Sequence, residues 1–199
     1  MWIPDLNLAD SDRNLVRSGE LNDKLVDDIN TLMSSQLDRP TSSQTTLLAQ
    51  SASGFNAVTS ESVMMLHGNQ HWVTAAGTAD GVLINRSQPT SHGSSYSCLP
   101  PLSTIRESSA WKLFRVHLNL RNNSTDCGIF AAAYAAEILA GNIRGTQGPF
   151  DVDAMRHHLE QCLEQQSLTP FPKVSHGQFG RRRKVINVNV SEQSCEVVM

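Results

Sequence analysis

Three residues of this sequence have the types and the chain order that thiol acyl-transfer chemistry uses: His71, Asn85 and Cys127. Such chemistry needs a thiolate nucleophile, an imidazole to carry the proton, and a hydrogen-bond acceptor to orient the imidazole. Cys127 follows a polar loop, Asn122-Asn123-Ser124-Thr125-Asp126, and precedes an apolar run, Ile129-Phe130-Ala131-Ala132-Ala133. That junction predicts a cysteine at a helix N-terminus, where the macrodipole and unpaired N–H groups stabilise an anion and lower a thiol's pKa. The competing reading is core packing, since a free cysteine behaves as a small buried hydrophobe.

These residues act together only if the chain folds them together. Ser124, Thr125 and Asp126 are all N-cap types, so the helix is expected to start within a residue or two of Cys127. Its alanines leave little bulk on any face, which suits an internal position, and Gly141-Asn142 is the C-cap signal. Upstream, residues 62–66, 71–76 and 82–85 read as strands, the last two joined through the Asp80-Gly81 turn signal. An antiparallel pair of this kind brings His71, at the start of one strand, towards Asn85 at the end of the next. Residues 21–33 carry an apolar stripe with Asn22 or Asp23 as its cap, and Asp10-Ser11-Asp12 caps a brief helix over 13–17. Residues 34–61 read as irregular connection with one short helix, 86–101 as loop, 102–109 as a helical turn or two, and 111–118 as a strand. Asp151 opens an amphipathic helix with Val152, Met155, Leu159, Cys162 and Leu163 on its apolar side, ended by Thr169-Pro170-Phe171-Pro172. The expectation is one α+β domain, a small antiparallel or mixed sheet flanked by helices. From residue 174 onward the chain reads as a tail with a basic run, Arg181-Arg182-Arg183-Lys184, and an alternating stretch at 185–190.

Composition bounds the partners. The chain has 199 residues, 39% hydrophobic and 18% charged, with a net charge of −3. That balance gives no reason to expect nucleic-acid binding by the body of the domain. No apolar run approaches a membrane span, and Met1–Asp5 does not read as a secretory signal. Four cysteines without a CxxC pair point to a reducing, intracellular setting, nuclear or cytoplasmic. His67 and His71 are four apart, but Gly68 and Asn69 interrupt any helix between them, so no metal site is expected. Cys162 reads as core, His157-His158 as flanking a helix face, and the RRRK run as a solvated cluster or a nuclear-targeting patch.

The pair His71-Trp72, the strand ending at Asn85, and Asp126-Cys127-Gly128-Ile129-Phe130 together resemble the adenain-type cysteine peptidases, the ubiquitin-like-protein proteases. Leu21-Asn22-Asp23 extends the resemblance upstream. Met155-Arg156-His157-His158-Leu159 and Pro170-Phe171-Pro172 extend it towards transposon-related animal members. The resemblance implies a papain-like fold over residues 1–173 with a tail at 174–199, and a Cys127–His71–Asn85 triad. It also implies an oxyanion hole from the Cys127 N–H and the side chain at Arg121. Trp72 and Gly128 would lie at a modifier's glycine tail, with a ubiquitin-like modifier or its conjugate as partner and no metal or small-molecule cofactor. The chain departs from the family pattern at three places: Asn85 stands for the usual aspartate, Arg121 for the oxyanion-hole glutamine, and Glu20 for a tunnel tryptophan. A neutral amide still accepts the imidazole N–H but stabilises an imidazolium less than a carboxylate does. Three functional readings stand: a peptidase cleaving after a modifier's C-terminal glycine, an inactive relative that binds a modifier or serves as a transposon-derived interaction protein, and acyl transfer from acetyl-CoA.

Overall fold

A computed structural model of the chain describes residues 1–36, 63–68, 71–78, 81–85, 112–115, 124–142, 150–174 and 186–189, with backbone alone at 68, 71, 78, 81–85, 112–115, 124 and 186–189. In chain order the elements are helices α1 (Asp10–Ser18) and α2 (Asp23–Gln36), strands β1 (Val63–Gly68), β2 (His71–Thr78), β3 (Gly81–Asn85) and β4 (Lys112–Arg115), helices α3 (Cys127–Leu139) and α4 (Val152–Glu164), and strand β5 (Ile186–Asn189). The expected turns at 102–109 and the connection with a short helix at 34–61 lie outside the described residues, except that residues 34–36, expected as connection, extend α2 to Gln36.

Helix α3 is the internal element. Its residues Cys127 to Glu137 are all buried, as its lack of a polar face requires. The alanines let it approach β2 closely enough for the Thr74 hydroxyl to donate to the Ala131 carbonyl at 2.6 Å. On another face Phe130 and Tyr134 meet Phe150, with ring centroids 6.2 and 5.7 Å away, in edge-on contacts favoured by the ring quadrupoles. Glu137 is 1% exposed in this apolar setting, and Lys173 (2.7 Å) and Asn142 (2.7 Å) satisfy its carboxylate. The helix stops at Gly141, whose φ of +70° is the left-handed conformation that glycine adopts without strain. There the Gly141 and Asn142 N–H groups donate back to Ile138 and Glu137 carbonyls.

Strands β1, β2 and β3 form an antiparallel sheet in that order. Within it β1 pairs Val63 with Ala76 and Gly68 with His71, while β2 pairs Thr74 with Asn85 and Thr78 with Gly81. The outer side of β1 meets α2, where the Asn30 side-chain oxygen accepts the Met65 N–H at 3.2 Å. The stretch expected to be a tail contributes β5, which pairs antiparallel with β4, Ile186 opposite Arg115 and Asn189 opposite Lys112. Its alternation of branched and polar residues suits a strand, and β4 supplies the partner that a tail would lack.

Two helix starts illustrate the local chemistry. Asn22 caps α2, its side-chain oxygen accepting the Leu25 N–H at 2.9 Å. Helix α1 begins at Asp10, three residues ahead of the expected span, because Asp12 accepts the Ala9 N–H at 2.8 Å and so stabilises an earlier first turn. Helices α1 and α4 are joined by charge. Glu160, 4% exposed, receives Arg13 at 2.6 Å and Arg17 at 2.7 Å, and Glu164 receives Arg13 at 3.0 Å and the Trp2 indole N–H at 2.8 Å.

Candidate active site

Cys127 is the first residue of α3 and is 2% exposed. Burial pushes its thiol above the ordinary thiol range, and the Glu20 carboxylate adds to that by charge. Hydrogen bonds from the backbone N–H groups of Trp72, Gly128 and Cys127 pull the other way. The helix-end amides therefore act as the sequence predicts, yet the expected net lowering does not occur. Taking a thiolate out of water costs more here than those N–H groups return. The Cys127 thiol therefore rests protonated near neutral pH.

The Trp72 amide beside this sulfur fixes the relation between β2 and α3. Trp72 follows His71 directly, so the start of β2 lies at the N-terminal end of α3. The Trp72 side chain points inward, 2% exposed, and its indole N–H donates to the Leu21 carbonyl at 3.0 Å. The His67 ring lies beside it at 4.6 Å. Leu21 also reaches under α3, where a Cβ on Gly128 would come within 2.9 Å of the Leu21 Cβ and Cγ. The two residues expected at a modifier's tail, Trp72 and Gly128, are thus both engaged with Leu21. The glycine after Cys127 has a packing reason.

His71 and Asn85 are placed by their backbones. His71 opens β2 opposite Gly68 of β1. Asn85 closes β3 opposite Thr74, the residue whose hydroxyl binds the Ala131 carbonyl of α3. Thr74 thereby ties the Asn85 register to the helix that Cys127 opens. The side chains of His71 and Asn85 and the whole of Arg121 lie outside the described residues, so the imidazole contacts and the second oxyanion donor do too.

Sequence reasoning missed Arg156. Asp126 was expected among the caps of α3, but its side chain makes no capping bond. Its carboxylate instead takes the Arg156 guanidinium, Nε at 3.0 Å and Nη2 in a shorter contact. The same guanidinium donates through Nη1 to the Leu15 (3.2 Å) and Val16 (2.8 Å) carbonyls and through Nη2 to the Thr125 carbonyl (3.3 Å). One planar fork on α4 thus fixes the turn that delivers Cys127 and fastens it to the end of α1. The signal was a cation on the polar side of an amphipathic helix, and sequence alone pairs such a residue with water.

No protein-family model matches the chain, and no curated protein matches it in sequence. Solved structures do match in fold. The SUMO protease Ulp1 with its catalytic cysteine oxidised to a sulfonic acid superposes with a TM-score of 0.56 at 14% identity, covering 85% of this chain and 89% of that one. The sulfenic acid form of Ulp1 gives 0.55 at 14% identity over 81% and 85%. The C-terminal Ulp1 protease domain in complex with Smt3, the yeast ortholog of SUMO, gives 0.52 at 13% identity over 81% and 85%. The likeness is one of fold: this chain has the α+β architecture of the papain-like, adenain-type cysteine peptidases, with a cysteine at the start of its buried helix.

Proposed function

We propose that the chain is a cysteine peptidase acting at the C-terminal glycine of a ubiquitin-like modifier, through Cys127, His71 and Asn85. The observation that carries this reading is Cys127 at the first position of the buried α3, within a fold shared with SUMO-protease domains. Strand β2, which opens on His71, packs on that helix through the Thr74–Ala131 hydrogen bond. His71 takes the thiol proton as the modifier's tail displaces water, and Asn85 accepts the imidazole N–H. The thiolate then attacks the terminal glycine carbonyl, and the Cys127 N–H together with Arg121 holds the oxyanion. His71 returns the proton to the leaving amine and next activates the water that hydrolyses the thioester. Arg121 stands for an amide donor at this step, and losing such a donor outright costs about 100- to 1,000-fold in turnover. The partner is a SUMO-like modifier or its conjugate inside the cell. The resemblance of 155–159 and 170–172 supports the transposon-related animal branch.

A second reading, modifier binding without turnover, is favoured by the buried, up-shifted thiol and the carboxylate of Glu20 acting on it. One experiment separates the two. The protein is incubated with SUMO and ubiquitin carrying a C-terminal electrophile, beside a Cys127→Ala control, and binding of the unmodified modifiers is measured in parallel. A Cys127-dependent adduct supports the peptidase. Saturable binding without an adduct supports the second reading, and neither outcome with folded protein removes both.

A further inference from the structure

Helix α4 ends in a turn that folds the following chain back over its last residues. Gln166 adopts a left-handed φ of +50°, and the Ser167 N–H donates to the Cys162 carbonyl at 2.9 Å. The returning strand is pinned by Gln36 at the end of α2, which donates to the Leu168 carbonyl at 3.0 Å and accepts the Leu168 N–H at 2.5 Å. These bonds hold Thr169 over His158 and Cys162, one helical turn apart on α4. His158 Nε2 lies 3.2 Å from the Thr169 carbonyl, 3.2 Å from the Thr169 hydroxyl and 3.5 Å from the Cys162 sulfur. The sulfur in turn lies 3.6 Å from the Thr169 hydroxyl. A carbonyl only accepts, so in the tautomer that carries its hydrogen on Nε2 that one N–H is shared between the Thr169 carbonyl and the Cys162 sulfur. The Phe171 ring, edge-on at 4.8 Å, holds the imidazole in place.

We propose that Cys162, clasped by His158 and Thr169, is a second nucleophilic thiol of this protein and a site of modification by small peroxides, separate from Cys127. The proposal stands on this cluster alone and does not depend on the peptidase reading. Among the described residues, His158 is the titratable group that faces the sulfur. Thr169, Phe171 and Gln36 around the cluster are neutral, His157 bonds Gln161 at 3.1 Å, and Glu160 and Glu164 are taken by arginines of α1. The two partners respond in opposite senses: the hydrogen bond with Cys162 raises His158, while His158 and Thr169 hold Cys162 below the ordinary thiol value against its burial. Cys162 is 2% exposed, in contact with the half-buried His158 and the exposed Thr169. In the step the thiolate attacks one peroxide oxygen, the S–O bond forms and the O–O bond breaks. Sulfur is oxidised to a sulfenic acid, the peroxide is reduced, and the departing hydroxide takes a proton from the His158 imidazolium paired with the thiolate, leaving as water and returning the ring to neutral imidazole.

The test uses the full chain with Cys98→Ser, Cys127→Ala and Cys195→Ser, so that Cys162 is the remaining thiol. Its ionisation is followed by thiolate ultraviolet absorbance against pH, and oxygen addition after hydrogen peroxide is located by peptide mass mapping. The expected result is a titration below the ordinary thiol range and oxygen on Cys162. His158→Gln should move the titration upward and slow oxidation by at least about threefold, following the lost thiolate. Thr169→Val, which removes one donor at the surface, should move both in the same direction and serves where His158→Gln does not fold. A titration in the ordinary thiol range that neither substitution moves, or a Cys162 that stays unoxidised while the free amino acid reacts, overturns the proposal.

Discussion

At the scale of single residues, Cys127 is set by a contest between burial and hydrogen bonding, and Glu20 is the adjustable part of it. Glu20 is exposed, so its influence on the thiol is a charge effect through solvent. Glu20→Gln should lower the thiol pKa and speed alkylation of Cys127 near neutral pH, with the difference fading as salt is added. Alkylation rate against pH at two ionic strengths checks this, and equal rates for both proteins would remove Glu20 from the site. Gly128 makes a harder prediction. A methyl group there meets the Leu21 side chain at 2.9 Å, so Gly128→Ala should cost about 1–3 kcal/mol by overpacking. In a chain of this size the melting temperature falls by about 2–4 °C for each kcal/mol, which calorimetry resolves. Cys127 and Asn22 were legible at this scale because a helix start and a cap are local events. Asp126 was not, since whether an acid caps its own helix or pairs with a distant cation depends on where α4 comes to lie.

At the scale of elements, Arg156 is the bolt between α4, the end of α1 and the turn before Cys127. Arg156 and Asp126 are largely buried, with side chains 15% and 11% exposed. Arg156→Met leaves the Asp126 carboxylate without its cation and should cost about 3 kcal/mol in urea unfolding. Arg156→Lys keeps the charge but lacks the planar fork, so it should recover part of that stability while the reaction of Cys127 with a modifier electrophile stays slow. Equal recovery of both would reduce Arg156 to a structural role. Most elements were legible from local pattern: the apolar stripe of α2, the apolar runs of β2 and β3 around their turn signal, and the all-round apolarity of α3. The pairing of β5 with β4 was not, because an isolated four-residue alternation reads the same in a strand as in a tail, and its partner is 71 to 77 positions away.

At the scale of the whole molecule, acid stability follows from the α1–α4 ion cluster. The Arg17 hydrogen bond, together with Arg13, holds the Glu160 carboxyl below its ordinary value. A lowered carboxyl contributes stability that is complete above the ordinary glutamate pKa and is lost as pH falls through the lower folded value. Unfolding free energy should therefore decline from roughly pH 4.5 downward, and Glu160→Gln should start lower and decline less steeply. Parallel slopes for the two proteins would place the acid sensitivity elsewhere. The α+β class and the order of the candidate residues were visible in the sequence, whereas this cluster joins positions 143 and 147 apart and no local pattern announces it. The order of the chain also governs when Cys127 can first take its folded setting. During synthesis Cys127 leaves the ribosome well before Arg156, so a nascent chain carries this thiol while the turn before it is still unfastened. That turn is fastened only when α4 has emerged and folded back onto α1.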